Sequence, residues 1–170
     1  FGQCPWRYFA KYVLGLEPLN VPQRMLQPTS RGQFIHDVLF TTIKRLFDAK
    51  GGPVCVGQVA DDELLETLRG AIRDVSEPLQ AAAPYPALWR IQKDRMHSQM
   101  QSYLLSLKSS KPEALCEHFE LAFGMDPRAD EPSDAMSRDE AVVIQTSSGD
   151  IRLRGRIDRV DRVDRVDSAG

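Results

Sequence analysis

The sequence predicts a mixed α/β fold, α+β in appearance, with a helical N-terminal half followed by a β-meander. Three observations predict it. Apolar residues recur at helical spacing in long stretches between about residues 29 and 107. At Lys111-Pro112 the apolar period changes from 3.6 to 2. The later alternating stretches are joined by the turn signal Ser147-Ser148-Gly149-Asp150, which makes them an antiparallel hairpin.

Residues 4–16 read as a short helix, with Pro5 at its first position and Gly15 as its stop. Trp6, Phe9, Tyr12 and Val13 lie at helical spacing and form one bulky apolar face. Residues 17–28 hold Pro18, Pro22 and Pro28 and make an extended connection. Thr29 or Ser30 can cap a second helix, which runs to about Ala49 before the Gly51-Gly52-Pro53 break. Its stripe is Ile35, Val38, Leu39, Thr42, Ile43 and Leu46, and His36 sits beside that stripe. Asp61-Asp62 starts a third helix, with Leu64, Leu65, Leu68, Ile72 and Val75 on one side and acids in its first turn. After a loop at 81–86, a fourth helix spans about 87–107 with Trp89, Met96, Met100, Tyr103, Leu104 and Leu107 on its face.

The first strand is 115–123, ending at Gly124. Leu115, Glu117, Phe119, Leu121 and Phe123 form one face, and Cys116, His118, Glu120 and Ala122 form the other. Residues 125–140 are polar and acidic and read as a surface loop, and 141–146 form a second strand. In the third, 151–161, Ile151, Leu153 and Ile157 alternate with Arg152, Arg154 and Arg156, as in a half-buried strand. Asp158 falls on the arginine face, and Gly155 interrupts the apolar one. Asp-Arg-Val then recurs at 158–160, 161–163 and 164–166, where valines three apart fall on opposite faces and end the amphipathic strand. A sheet of about three strands is small for this length. Residues 1–170 are expected to form a single, truncated domain, helical over 1–110 and stranded over 111–170. The chain opens on Phe1 and stops inside a charged repeat, so it is expected to be a piece of a longer protein.

Composition narrows the function. With 42% apolar and 27% charged residues the chain is ordinary globular protein. Its 22 basic and 24 acidic side chains create no global field that would recruit nucleic acid. Contact with a polyanion must rest on local clusters: the strand arginines, Lys44-Arg45, and Arg90 to Arg95. No apolar run is long enough to span a membrane, no signal peptide is visible, and no membrane partner is expected. Cys4, Cys55 and Cys116 form no CxxC pair, which points to a reducing cytoplasm rather than a disulfide framework.

No Gly-rich phosphate loop, nucleophile elbow or zinc-type Cys/His spacing is present. Hard-cation ligands remain on separate elements: His36, Glu120, Asp158 and Asp161. Mg²⁺ takes carboxylate oxygens and keeps several waters, and an imidazole extends the preference to Mn²⁺. Each residue also has a plain reading. A helical histidine beside a stripe packs, a glutamate on a polar strand face is solvated, and an aspartate among arginines is a surface ion pair. Cys4 is equally a small buried residue near a terminus.

Taken in order, four blocks carry more. They are Cys4-Pro5-Trp6-Arg7-Tyr8-Phe9-Ala10-Lys11-Tyr12-Val13-Leu14-Gly15-Leu16, then Arg31-Gly32-Gln33-Phe34-Ile35-His36, then Glu120-Leu121-Ala122-Phe123-Gly124, then Gly155-Arg156-Ile157-Asp158-Arg159-Val160-Asp161. In this order they resemble the RecB-like branch of the PD-(D/E)XK nuclease superfamily, nearest to the C-terminal exonuclease domain of the AddB type. The resemblance implies a restriction-endonuclease-like core and a Mg²⁺- or Mn²⁺-dependent DNA exonuclease of a bacterial helicase–nuclease complex in DNA repair or recombination. It implies that His36 and Asp158 bind the metal and that Glu120 lies at the edge of the catalytic site. It also implies that Cys4 is the first ligand of a 4Fe-4S cluster, and that DNA and a helicase are the partners.

The chain departs from that family at one block. An Asp-x-Lys strand should follow, supplying a second carboxylate and the lysine that positions the attacking water. No lysine occurs after Lys111, and neither Cys55 nor Cys116 has the spacing of further cluster ligands. Residues 1–170 alone are therefore expected to bind metal weakly and not to cut DNA. Two other readings stand beside this one: a nuclease-like module that only holds DNA, and a helical protein-interaction domain without metal. The last requires that His36, Glu120 and Asp158 fail to converge within about 5 Å, the range over which charges couple strongly.

Overall fold

The computed structural model describes residues 4–16, 27–125, 134–147 and 149–163. Three long helices form a layer against a small antiparallel sheet. Helix α1, Pro5–Tyr8, passes into a π-helical turn, Phe9–Val13, and stops at Gly15 with φ 62°. The expected helix is thus two pieces. Its aromatic face meets no core among the described residues: Trp6 is 71% and Tyr12 66% exposed, and Trp6–Phe9 and Tyr8–Tyr12 pack on each other.

Helix α2, Pro28–Lys50, starts at Pro28 rather than at a Thr29 or Ser30 cap. Gln27 is the N-cap, no side chain closes it, and Pro28 needs no partner for an absent N–H. It ends where sequence places the end, at Gly51 with φ 74°, whose N–H reaches Asp48 O while that of Gly52 reaches Phe47 O, a Schellman closure. Helices α3, Asp61–Ala82, and α4, Pro86–Ser110, follow. Val38, Leu46, Leu64, Leu68, Met96, Met100 and Leu104 make the shared core, and Phe34 meets Trp89 edge-on. Phe34 joins the expected stripe of α2, while Ile35 and Leu39 sit at its margin.

Strand β1, Val54–Cys55, is too short to show a period and was not legible. It pairs with β2, Leu115–Phe123, which pairs in turn with β5, Gly155–Arg162, both antiparallel. Strands β3, Val142–Thr146, and β4, Gly149–Leu153, form a separate hairpin. The expected third strand is therefore two strands broken at Arg154, and the meander is corrected to a β2–β5 pair with a hairpin inserted between them. Exposure along the stretch departs from the expected alternation. Ile151, Leu153 and Ile157 are exposed, whereas Arg156 turns inward toward Glu120. Crowding fixes the joint: Gly124, with φ 67°, lies so close to Arg154 that a Cβ would overlap its side chain. The turn Val56–Gln58 packs as tightly, since a Cβ on Gly57 would overlap the Pro112 carbonyl.

Phe119 of β2 meets Phe40 and Phe47 of α2 edge-on, with ring centroids 5.9 and 5.5 Å apart. These contacts lay the middle of β2 beneath the second half of α2, and Phe40 stands one turn after His36.

Candidate metal centre

β2 is irregular in its middle. Its register against β5 shifts between Cys116 and His118, and Glu120 takes φ 51°, a left-handed conformation that costs energy outside glycine. Phe119 and Glu120, successive residues of this irregular stretch, are both buried. The plain reading of Glu120 as a solvated residue on a polar face does not hold, because its residue exposure is 6%.

Beyond the shift, Phe119 pairs with Arg159 and Leu121 with Ile157, so Glu120 stands opposite Asp158. Like charges facing across a ladder destabilise it unless a cation lies between them. His36 reaches into that position from α2: its Nε2 lies 3.1 Å from Glu120 Oε1 and 3.7 Å from Asp158 Oδ2. One ligand atom from each of the three falls within 4.8 Å of the others. Asp158 is 72% exposed at its side chain and faces solvent.

Burial works against charge on His36. Its hydrogen bond to Asp37 and the negative charges of Glu120 and Asp158 outweigh that and raise its pKa above 6.5. Although Nε2 and Glu120 Oε1 are close, they do not align as a hydrogen bond, and Oε1 is buried with no hydrogen-bond partner. An orphaned carboxylate oxygen facing an imidazole nitrogen and a second carboxylate suits a divalent cation. The residues fit one.

Two neighbours were not legible. Asp37 Oδ1 lies 3.2 Å from His36 Nδ1 and accepts a 2.7 Å bond from Gln33 Nε2. It holds the ring from the side away from the site, as carboxylates do for metal-binding histidines. Adjacent helical residues ordinarily diverge, so no spacing rule would select it. Arg156 Nη1 lies 3.7 Å from Glu120 Oε2 and brings a cation to the same face.

Other expected residues lie apart. Asp161 does not join the group. Its Oδ2 accepts from Arg159 at 2.9 Å, and it lies against Cys116, whose thiol burial and the Asp161 charge push up to about 12. Cys55 and Cys116 are buried, and Cys55 Sγ donates to Pro112 O. Cys4 is exposed and belongs to no cluster of metal-ligating side chains among the described residues. No described helix is long and apolar enough to cross a membrane. Comparison with known proteins gives one family: a model of the PD-(D/E)XK nuclease superfamily matches residues 1–169. No curated protein matches the chain significantly.

Proposed function

The chain belongs to the PD-(D/E)XK nuclease superfamily, and from that premise we propose that residues 1–170 are part of a metal-dependent DNA exonuclease domain of the bacterial helicase–nuclease type. The restriction-endonuclease-like α/β fold and a nuclease-like activity on DNA with a divalent metal such as Mg²⁺ are properties of the superfamily. The exonuclease type of the reading, its helicase partner and its role in repair or recombination rest on the four sequence blocks, and its cytoplasmic setting on the cysteine pattern.

One observation carries the site. His36, Glu120 and Asp158 lie 84 and 38 residues apart in succession (120 − 36, 158 − 120), yet their ligand atoms lie within 4.8 Å. In this reading His36 Nε2 and Asp158 hold Mg²⁺ or Mn²⁺, and Glu120 closes its inner side. The ion, when bound, supplies a Lewis acid for the scissile phosphate. Asp37 keeps the imidazole turned toward the ion, and Arg156 offers a guanidinium to phosphate oxygens. No lysine lies in residues 112–170. These residues therefore hold metal and phosphate, and positioning of the attacking water falls to groups other than these.

The iron–sulfur reading rests on the resemblance and on Cys4, which is exposed and able to serve as one of the four thiolates such a cluster takes. Cys55 and Cys116 are buried apart from it, and no step is derived through a cluster.

In the complete helicase–nuclease, His36→Ala and Asp158→Ala are each expected to abolish Mg²⁺-dependent DNA degradation while ATP hydrolysis continues. Exonuclease activity retained by either variant would overturn the assignment.

A further inference from the structure

Beside the His36–Asp158 pair the surface opens into a cavity of about 160 Å³. Its character changes within one side chain's length. His36 and Asp158 are charged or polar, whereas Leu39, Phe40 and Phe119 make the adjoining wall apolar. Tyr103, 47% exposed, and Arg159 also line it. A hydrated divalent cation has no use for such a wall, because it binds through oxygen. An apolar cavity of about 150 Å³ does accept a single six-membered aromatic ring.

We propose that this cavity receives one unpaired nucleobase of the DNA strand held at the metal centre. The inference rests on the nuclease reading and deepens it. A ligand that satisfies both ends must carry an anion at one and a flat, largely apolar ring at the other, joined by a short linker. A nucleotide within a strand is built that way. A volume of about 160 Å³ holds one ring and not a base pair, so the base must leave its stack. That cost is least for a strand already single. Phe40, which runs nearly parallel to the His36 ring at an interplanar angle of 11°, supplies a π-face that accepts any base. Arg159, anchored by its bond to Asp161, brings guanidinium donors to the edge of that base.

The test uses the 170-residue chain, a short fluorescent thymidylate strand, and the same backbone lacking every base. The strand with bases is expected to bind more tightly by about fivefold or more, the lower range for one base–aromatic stack. Tyr103→Ala removes an exposed ring, and Leu39→Trp fills the cavity. Each is expected to erase that ratio while Mn²⁺ binding, measured by calorimetry, stays at the parent level and reports an intact fold. Equal binding of both strands by the parent overturns the inference, as does a ratio preserved in both variants that still bind Mn²⁺. Failure of the parent to bind Mn²⁺ would instead refute the metal reading, and the cavity would still be judged on the base-dependent ratio.

Discussion

Glu120 combines three costs at one position: burial, a positive φ, and an oxygen with no hydrogen-bond partner. Each is of order 1–3 kcal/mol, and such features gather at functional sites. A cation between Glu120, Asp158 and His36 would offset the last of them and the repulsion across the ladder. The orientation of His36 then matters as much as its presence. Asp37→Ala is expected to weaken Mn²⁺ binding by about 10- to 100-fold, the range for partners that orient a ligating imidazole. Asp37→Asn, which can still accept from the ring nitrogen, is expected to recover most of it. Calorimetric titration of the two variants checks this, and equal losses would assign Asp37 a purely structural part.

Among the elements, β2 decides the geometry, and its free edge is managed without a strand. β1 pairs only with its first residues. Farther along, the segment 134–138 stands in. Asp134 Oδ2 accepts the Phe119 N–H, Ser137 Oγ accepts the Ala122 N–H, and Arg138 N donates to Ala122 O. The expected surface loop is therefore, in its described part, an edge cover. Burial disfavours charge on Asp134. The N–H groups of Met136 and Phe119, together with His118, outweigh it and hold the carboxyl below 3.8. A depressed folded-state pKa means stability that is present above 3.8 and lost as pH falls through the lowered value. Asp134→Asn is expected to cost about 1–3 kcal/mol at neutral pH. That difference from the parent is expected to shrink as pH falls below 3.8, as urea unfolding at a series of pH values would show. A difference independent of pH would place the cost in shape rather than charge.

Across the whole molecule, the proposed centre ties the helical layer to the sheet, since His36 belongs to α2 and the two carboxylates to β2 and β5. A ligand bound only by the folded state raises stability by mass action. Mn²⁺ at a hundredfold excess over its Kd is expected to stabilise the chain by about 2.7 kcal/mol. The accompanying rise in Tm is expected to vanish in Asp158→Ala. A shift of equal size in that variant would mean that the ion binds elsewhere.

The sequence by itself determined the order and kind of the long elements. Helical periodicity survives in any context, and Gly51 closes α2 where a left-handed residue is needed. Residue type alone offered His36, Glu120, Asp158 and Asp161, and the resemblance of the blocks that carry the first three to RecB-like nucleases singled those out. What it did not determine follows from pairing. The break at Arg154 depends on how closely Gly124 approaches, and β1 exists only because β2 lies beside it. The period of two assigned Ile157 to the inside, where the structure exposes it, and left open that Glu120 is buried. A register shift moves side chains between faces without leaving a mark in the local pattern. Only the tertiary structure decided that Glu120 faces Asp158 beneath His36, because three residues so distant in sequence meet through strand register and helix packing.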